Sequence, residues 1–341
     1  MSKIANIAEP IIKEIDLGEK IGCLIMKTAN QWIQEAKNTP IPDQLFSELW
    51  HEGELCILFA STGLGKTALA VQIADSISKG KSISGFKNKV EAQLILYFDF
   101  ELTGKQFEGR ASNKYKDHYQ FNDNFMRIEF NAESEKTDGI NEEDYLVNSI
   151  IETVEKTDAK IVFIDNITYL RSDTEKGKEA LPLMRKLNEI KKKYSLSILA
   201  LAHTPKRDRH KGITRNDLSG SSLLMNFCDS SFAIGASTGD ANMRYIIQIK
   251  ERFTEKFYGS DNIILISLEK PENCLKFSFS GFGDEYDYLR VVSQSEVKEI
   301  EQAIISLSKQ GLSSRVIAKQ LNITDSKAYR IIKKYDVNPF L

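Results

Sequence analysis

Residues 56–77 read "CILFASTGLGKTALAVQIADSI". With Leu55 in front, "LCILFA" (55–60) is a strand-like apolar run, "STGLG" (61–65) is a glycine-bearing turn and "KTALAVQIADSI" (66–77) carries a helical pattern. A strand, a tight turn and a helix in direct succession face backbone N–H groups inward and aim the helix's positive end at the same point. The spacing nearly matches G-x-x-x-x-G-K-[ST], the phosphate-binding loop. Gly63 and Gly65 permit close backbone approach, Lys66 would reach the β- and γ-phosphates, and Thr67 would place its hydroxyl on Mg²⁺. The expected nucleotide cradle is therefore Ser61, Thr62, Gly63, Leu64, Gly65, Lys66, Thr67 and Ala68. Ala60 stands where the motif has its first glycine. That position lies at the strand-to-turn junction, and alanine is tolerable there if φ stays negative. The bland alternative is an incidental glycine-rich turn before a core helix.

The chain of 341 residues is long enough for one large α/β domain and a smaller unit. Lys and Arg number 46 against 48 Asp and Glu, so the net charge of −2 does not advertise a nucleic-acid binder, and local charge decides that question instead. No apolar run approaches the length of a membrane span, and "MSKIANIAEPIIKEIDLGEK" lacks a signal peptide's apolar core. Cys23, Cys56, Cys228 and Cys274 are scattered without a C-x-x-C pair, which suits a reducing compartment and no zinc site. The expectation is a cytoplasmic protein with no membrane partner.

Outward from the loop, short apolar runs alternate with helical patterns. The runs are "LILYFDF" (94–100), "FMRIEF" (125–130), "KIVFID" (160–165) and "SLSILALA" (195–202), separated by helices expected over 66–78, 103–115, 142–156 and 177–194. Such alternation argues for crossover units on a largely parallel sheet. After residue 228 come "DSSFAIG", "RYIIQIKER", "NIILISLEK" and "CLKFSFSGFG", expected as antiparallel hairpins extending that sheet. Upstream, "TANQWIQEAKN" reads as one helix capped by Thr28. The expected organisation is an N-terminal segment (1–40), an ATPase domain (41–283), a linker (284–294) and a small helical domain (295–341).

Two further strands carry acid chemistry. "KIVFID" ends a buried run in Asp165, about 100 residues after the loop. Asp165 would hold Mg²⁺ through water beside Thr67, although an aspartate at a strand end is often only a helix cap. Asn166 follows where many ATPases place a catalytic glutamate, so the base must come from elsewhere. In "LYFDFELTGKQFEGR", Asp99 and Glu101 alternate with Phe98 and Phe100 and leave one strand face together. Glu101 is the candidate to orient an attacking water and Asp99 to help hold the metal site. The same pair could simply open the following helix.

Taken together, "ASTGLGKT", "FDFE", "FIDN" and "LALAHTPK" resemble the RecA-like P-loop ATPases, in the branch of the RepA and DnaB hexameric replicative helicases (AAA_25-like), over roughly residues 40–283. The resemblance implies a RecA-like, mostly parallel sheet flanked by helices with antiparallel C-terminal strands. It implies ATP and Mg²⁺ as cofactors, Glu101 polarising the catalytic water, and His203 sensing the γ-phosphate. It also implies that Lys250 and Arg252, two residues apart on one strand face, reach the neighbouring subunit's nucleotide. A homo-oligomer, by resemblance a hexamer, follows; the alternative for the pair is a solvated edge-strand face.

Two basic loops would line the pore of such a ring: "LRSDTEKGKEA", with Arg171, Lys176 and Lys178, and "TPKRDRHKGITRNDLSGSS", with Lys206, Arg207, Arg209, Lys211 and Arg215. Lacking aromatic stacking residues, they suit a sequence-independent grip on single-stranded DNA. At the C-terminus, Ala318, Leu321, Ile323, Ala328 and Ile331 have the spacing of a helix-turn-helix similar to those of resolvases and sigma factors. Between Lys309 and Lys334 seven basic residues face one acidic, Asp325. Ser326, Lys327, Arg330, Lys333 and Lys334 on the third helix are the candidate duplex-DNA contacts, with a protein-docking module as the alternative. The leading expectation is an ATP-driven helicase or translocase of plasmid, phage or mobile-element replication. The alternatives are an ATP-dependent DNA-binding switch or loader and, more distantly, a RecA-type recombination mediator.

Overall fold

The structure is a computed structural model that describes residues 20–131, 133–134, 141–170, 180–205, 207–218, 221–240, 242–289, 294–321, 323 and 325–335. It divides into two compact units, residues 1–42 and 43–341. The first holds a small hairpin, β1 (Lys20–Ile21) with β2 (Leu24–Ile25), and the helix α1 (Ala29–Ala36). Thr28 caps α1 as expected: its side chain accepts from the Gln31 N–H and Gln31 reciprocates, a capping box.

The second unit begins with the hairpin β3 (Gln44–Phe46) and β4 (Trp50–His51), then β5 (Leu55–Ala60) and α2 (Lys66–Lys79). Next come β6 (Ile95–Asp99), α3 (Gly104–Arg110), a small hairpin of β7 (Ser112–Asn113) and β8 (Asp117–His118), and β9 (Phe125–Ile128). They are followed by α4 (Glu142–Thr157), β10 (Ile161–Asp165), α5 (Ala180–Tyr194), β11 (Ser197–His203) and α6 (Ser221–Phe227). The late strands are β12 (Ser230–Ala236), β13 (Met243–Lys250), β14 (Ile263–Glu269) and β15 (Lys276–Gly283). Four helices end the chain: α7 (Glu285–Leu289), α8 (Gln294–Lys309), α9 (Ser314–Leu321) and α10 (Asp325–Lys334).

Nine strands form one sheet in the order β15-β14-β13-β12-β5-β11-β10-β6-β9. The pairs from β12 to β9 are parallel and those from β12 to β15 antiparallel. This is the RecA-like α/β architecture, with helices after the antiparallel strands. The reason lies in the strand sequences. Along β5, Leu55, Ile57 and Phe59 enter one core and Cys56, Leu58 and Ala60 the other, because alternate residues face opposite sides. A strand buried on both faces must be apolar throughout, as "LCILFA" is. One face is covered by α2 through Leu69, Ile73 and Ile77, the other by α4 and α5 through Val147, Ile150, Val154, Leu183 and Leu187. Each such side chain contributes about 1.5–3 kcal/mol by leaving water.

The late strands extend the sheet as expected: β12 pairs antiparallel with β13 and, after the short crossover helix α6, lies parallel to β5. Two expectations change. The helix expected over 103–115 stops at Arg110, because Lys114 and Tyr115 adopt φ of 51° and 60° to turn the β7–β8 hairpin, and a right-handed helix cannot pass through them. The segment expected as a linker contains α7, whose buried Glu285 accepts from the Ile213 N–H and the Tyr245 hydroxyl, both at 2.8 Å. Among the described residues no helix is long and apolar enough to cross a membrane.

Candidate nucleotide site

Parallel strands place every C-terminal end on one edge of the sheet, where such folds bind ligands. Register makes this concrete: Asp165 of β10 pairs with Asp99 of β6, and His203 of β11 pairs with Ala60 of β5. The ends of four strands thus deliver the loop 61–65, Asp99 with Glu101, Asp165 with Asn166, and His203 to one place.

Ala60 sits 2 % exposed as the last residue of β5 and is not among the residues with positive φ, so its methyl group costs the turn nothing. Gly63 and Gly65 do need to be glycine, with φ of 81° and 95°. At Gly65 a Cβ would also lie 2.6 Å from the Phe277 ring of β15, a packing demand with no sequence signal. Gly65 is the N-cap of α2 and supplies no side chain to it, so the first N–H groups of α2 stay open, as an anion site requires. Lys66 and Thr67 follow, 7 % and 8 % exposed.

Lys66 Nζ lies 3.1 Å from His203 Nδ1. Burial lowers the lysine pKa, opposed by the Asp165 and Glu101 carboxylates. Burial, then the Lys66 charge, lowers the pKa of His203 and favours its neutral ring. Asp165 is fully buried; its Oδ2 accepts from the Tyr97 hydroxyl at 2.9 Å, while Oδ1 is buried without a hydrogen-bond partner. Burial pushes its pKa up to about 6, opposed by the nearby Thr67 and Tyr97 hydroxyls. An orphaned carboxylate oxygen beside a threonine hydroxyl fits a divalent cation. Among the described residues no three His, Cys, Asp or Glu side chains converge as a cage. A carboxylate and a hydroxyl are hard oxygen donors of the kind that suits Mg²⁺, which keeps waters and phosphate oxygens in its shell and needs few protein ligands. Thr67 and Asp165 would hold it.

Asp99, expected to help hold the metal, has partners of its own. Its Oδ2 pairs with Arg127 Nε at 2.8 Å and its Oδ1 accepts from the N–H groups of Glu101 and Leu102 at 3.2 and 2.9 Å. Arg127 also bonds the Leu102 carbonyl at 2.7 Å, so this pair shapes the turn that presents Glu101. Glu101 itself is exposed toward the site, with Oε2 accepting from Asn166 Nδ2 at 3.1 Å and Oε1 lying 4.0 Å from His203 Nε2. Asn166, which sequence reasoning noted only as a missing glutamate, thus touches both residues.

Residues 26–209, more than half of the chain, match the model of the AAA_25 family, described as an AAA domain. The chain belongs to the AAA_25 family. It is accordingly a RecA-like P-loop ATPase. No curated protein sequence matches it. Among solved structures, a KaiC-like protein from the hyperthermophilic archaeon Pyrococcus horikoshii OT3 aligns with a TM-score of 0.44 at 16 % identity, over 67 % of this chain and 91 % of that one.

Lys250 and Arg252 of this AAA_25 chain lie away from the loop. Lys250 pairs in register with Ser231, and Ser231 with Ile57, so β13 carries Lys250 and Arg252 toward the opposite edge of the sheet. Lys250 Nζ bonds the Met225 and Cys228 carbonyls at 2.5 and 2.7 Å, capping the end of α6. Arg252 bonds the Asn226 carbonyl at 2.9 Å and pairs with Asp229 at 3.2 Å, its side chain 54 % exposed. Arg207 is folded inward, bonded to Asp217 and to the Lys211 carbonyl, so it shapes its loop instead of projecting from it. Arg209, Lys211 and Arg215 are exposed. Arg171, Lys176, Lys178 and Lys206 lie outside the described residues.

The last three helices share a small core of Ile304, Ile317, Ala318, Ala328 and Ile332. Contrary to a free DNA-reading face, part of α10 turns toward the sheet. Arg330 pairs with Asp240, in the β12–β13 turn, at 3.0 Å. Tyr329 and Arg330 face Phe279, Ser280 and Gly281 of β15 across a cleft. Burial lowers the pKa of Lys327, opposed by Asp287 of α7. Lys333 and Lys334 are exposed, Lys334 lying 3.5 Å from Glu301; the Ser326 side chain is outside the described residues.

Proposed function

We propose that the protein is an ATP-hydrolysing ring protein acting on DNA, a helicase or translocase in which each active site is completed by a neighbouring subunit. The carrying observation is the division of the chemistry between two edges of one sheet. Lys66, Thr67, Asp165, Glu101 and His203 gather at one edge, and Arg252 stands toward the other, out of reach of its own copy's loop. In this reading Lys66 and the open N–H groups of α2 bind the phosphates, and Thr67 with Asp165 hold Mg²⁺, which supplies charge neutralisation when bound. Glu101 orients the attacking water, and Arg252 of one copy stabilises the transferring phosphoryl group of the next. The exposed Arg209, Lys211 and Arg215 follow His203 in the chain and grip a single strand through its phosphates. The test is ATP hydrolysis with and without single-stranded DNA. Stimulation of at least about tenfold, in the range that positioning effects give, is expected, with strand displacement on a forked duplex. A rate indifferent to nucleic acid sinks the motor reading.

A second reading, an ATP-dependent DNA-binding switch, draws support from the docked α10. If α9 and α10 are a helix-turn-helix, Arg330 and Lys327 are held by the ATPase unit and must be released to meet a duplex. Asp240→Lys repels Arg330 without altering α10 or the nucleotide site. Duplex affinity is expected to rise about twofold to fivefold, the equivalent of one exposed charge pair, with basal ATPase unchanged. Equal affinity in fluorescence anisotropy removes the switch.

A further inference from the structure

Asn166 is buried where the four strand ends meet. Its carboxamide is oriented from one side, because Oδ1 accepts from the Thr168 backbone N–H at 2.9 Å and also from the Thr168 hydroxyl. Pinning the oxygen turns Nδ2, with two hydrogens, into the site. One direction is Glu101 Oε2 at 3.1 Å; the other is His203 Nε2 at 3.0 Å.

His203 meets a second donor at its other nitrogen, Lys66 Nζ at 3.1 Å from Nδ1. A neutral imidazole has one acceptor nitrogen, since the other carries the hydrogen. Lys66 and Asn166 therefore compete for a single lone pair. With Lys66 turned to His203, as here, the ammonium makes the stronger hydrogen bond and claims Nδ1. In that arrangement the ring proton would sit on Nε2, facing the Asn166 hydrogens, and Nε2 would not accept from Asn166.

We propose that Asn166 is a positioning residue that links Glu101 to His203, and that its grip on both depends on where Lys66 is. When Lys66 leaves for a phosphate, Nδ1 is freed. The ring gives up its Nε2 proton to solvent and takes one from solvent at Nδ1, so its charge does not change. Nε2 now accepts from Asn166, whose carboxamide is held at the Thr168 end and at His203. Its remaining hydrogen fixes Glu101 Oε2 in one direction, ready to orient water. The occupied phosphate site is thereby reported to Glu101 and to the loop behind His203 through one amide. This inference rests on the roles proposed above for Lys66, Glu101 and His203.

The direct test is the histidine tautomer, read from ¹⁵N chemical shifts in long-range NMR spectra of the full chain. It has four histidines, and His203→Gln identifies the signal. Adding Mg²⁺ with the β,γ-imido analogue of ATP is expected to exchange the protonated nitrogen from Nε2 to Nδ1. Kinetically, Asn166→Ala should lower kcat about 10–100-fold, the usual effect of losing an orienting partner, with KM for ATP within about twofold because Asn166 touches no phosphate. Asn166→Asp keeps the shape but removes the donor, and should rescue nothing. A wild-type chain that binds the analogue without changing tautomer, or an Asn166→Asp variant with wild-type kcat, overturns this inference alone. A chain that does not bind the analogue overturns the functional reading as well.

Discussion

Replacing Lys66 with alanine is expected to lower kcat/KM for ATP by about 10³-fold, the upper range for deleting one preorganised charged donor, without unfolding the protein. The argument has two parts. Lys66 is the cation of the loop and sits 7 % exposed at the start of α2, where its charge is partly stripped of water. It also stands at the positive end of the helix dipole, the wrong end for a cation. Both costs fall on the folded state and are offset in part by the Asp165 and Glu101 carboxylates and the His203 contact, so removing the ammonium should change stability by no more than about 1 kcal/mol. A buried cation at an anion site with so little bearing on stability is there for its ligand. Activity lost together with a collapsed melting transition would mean that Lys66 is structural, and nucleotide binding by calorimetry would separate the two.

Arg252→Ala is expected to lower hydrolysis about 10³-fold, the lower range for an arginine finger, while Mg²⁺-ATP still binds. The geometry makes this a statement about two subunits. Arg252 lies two residues beyond Lys250, which is level with Ile57, and β5 runs from Leu55 to Ala60 toward the loop. At about 3.3 Å per residue, that sets Arg252 about 16 Å below the loop end of β5 along the strand direction. No rotamer closes such a gap within one copy. The local pair with Asp229 at 3.2 Å is half exposed, so its loss should cost little stability. Mixing Arg252→Ala with Lys66→Ala chains supplies the decisive measurement. Each variant alone has no complete site, but in a randomly mixed ring about a quarter of interfaces join an intact loop to an intact arginine. Recovered hydrolysis on mixing is expected. A mixture as inactive as its components, with rings still formed, rejects a finger in trans.

Much of the site was legible in the chain before folding. Apolar runs ending in a named polar residue are a local signal: "KIVFID" and "SILALAH" put Asp165 and His203 at strand ends, and parallel strands all end at one edge. Long-range partners leave no such signal. Alternation shows that Asp99 shares a face with Glu101, but not that Arg127, on the neighbouring strand β9, pairs with it. Spacing likewise sets Lys250 beside Arg252, and only the fold shows that Lys250 also bonds the carbonyls at the end of α6.

The sequence by itself determined the loop, the order of strands and helices and the alternation that buries the sheet on both faces. These depend on residues within a few positions of one another, where backbone geometry and periodicity act directly. Only the tertiary structure decided which polar side chains are spent inside the molecule. Asp99 with Arg127, Arg330 with Asp240, and Asn166 beside Glu101 and His203 all bring together residues from different segments. A side chain's partner is chosen by what the fold brings within about 3 Å, a distance at which hydrogen bonds form and over which sequence separation has no say. The residues of "ASTGLGKT" announce a phosphate site on their own, but what surrounds that site is set by the packing of distant strands.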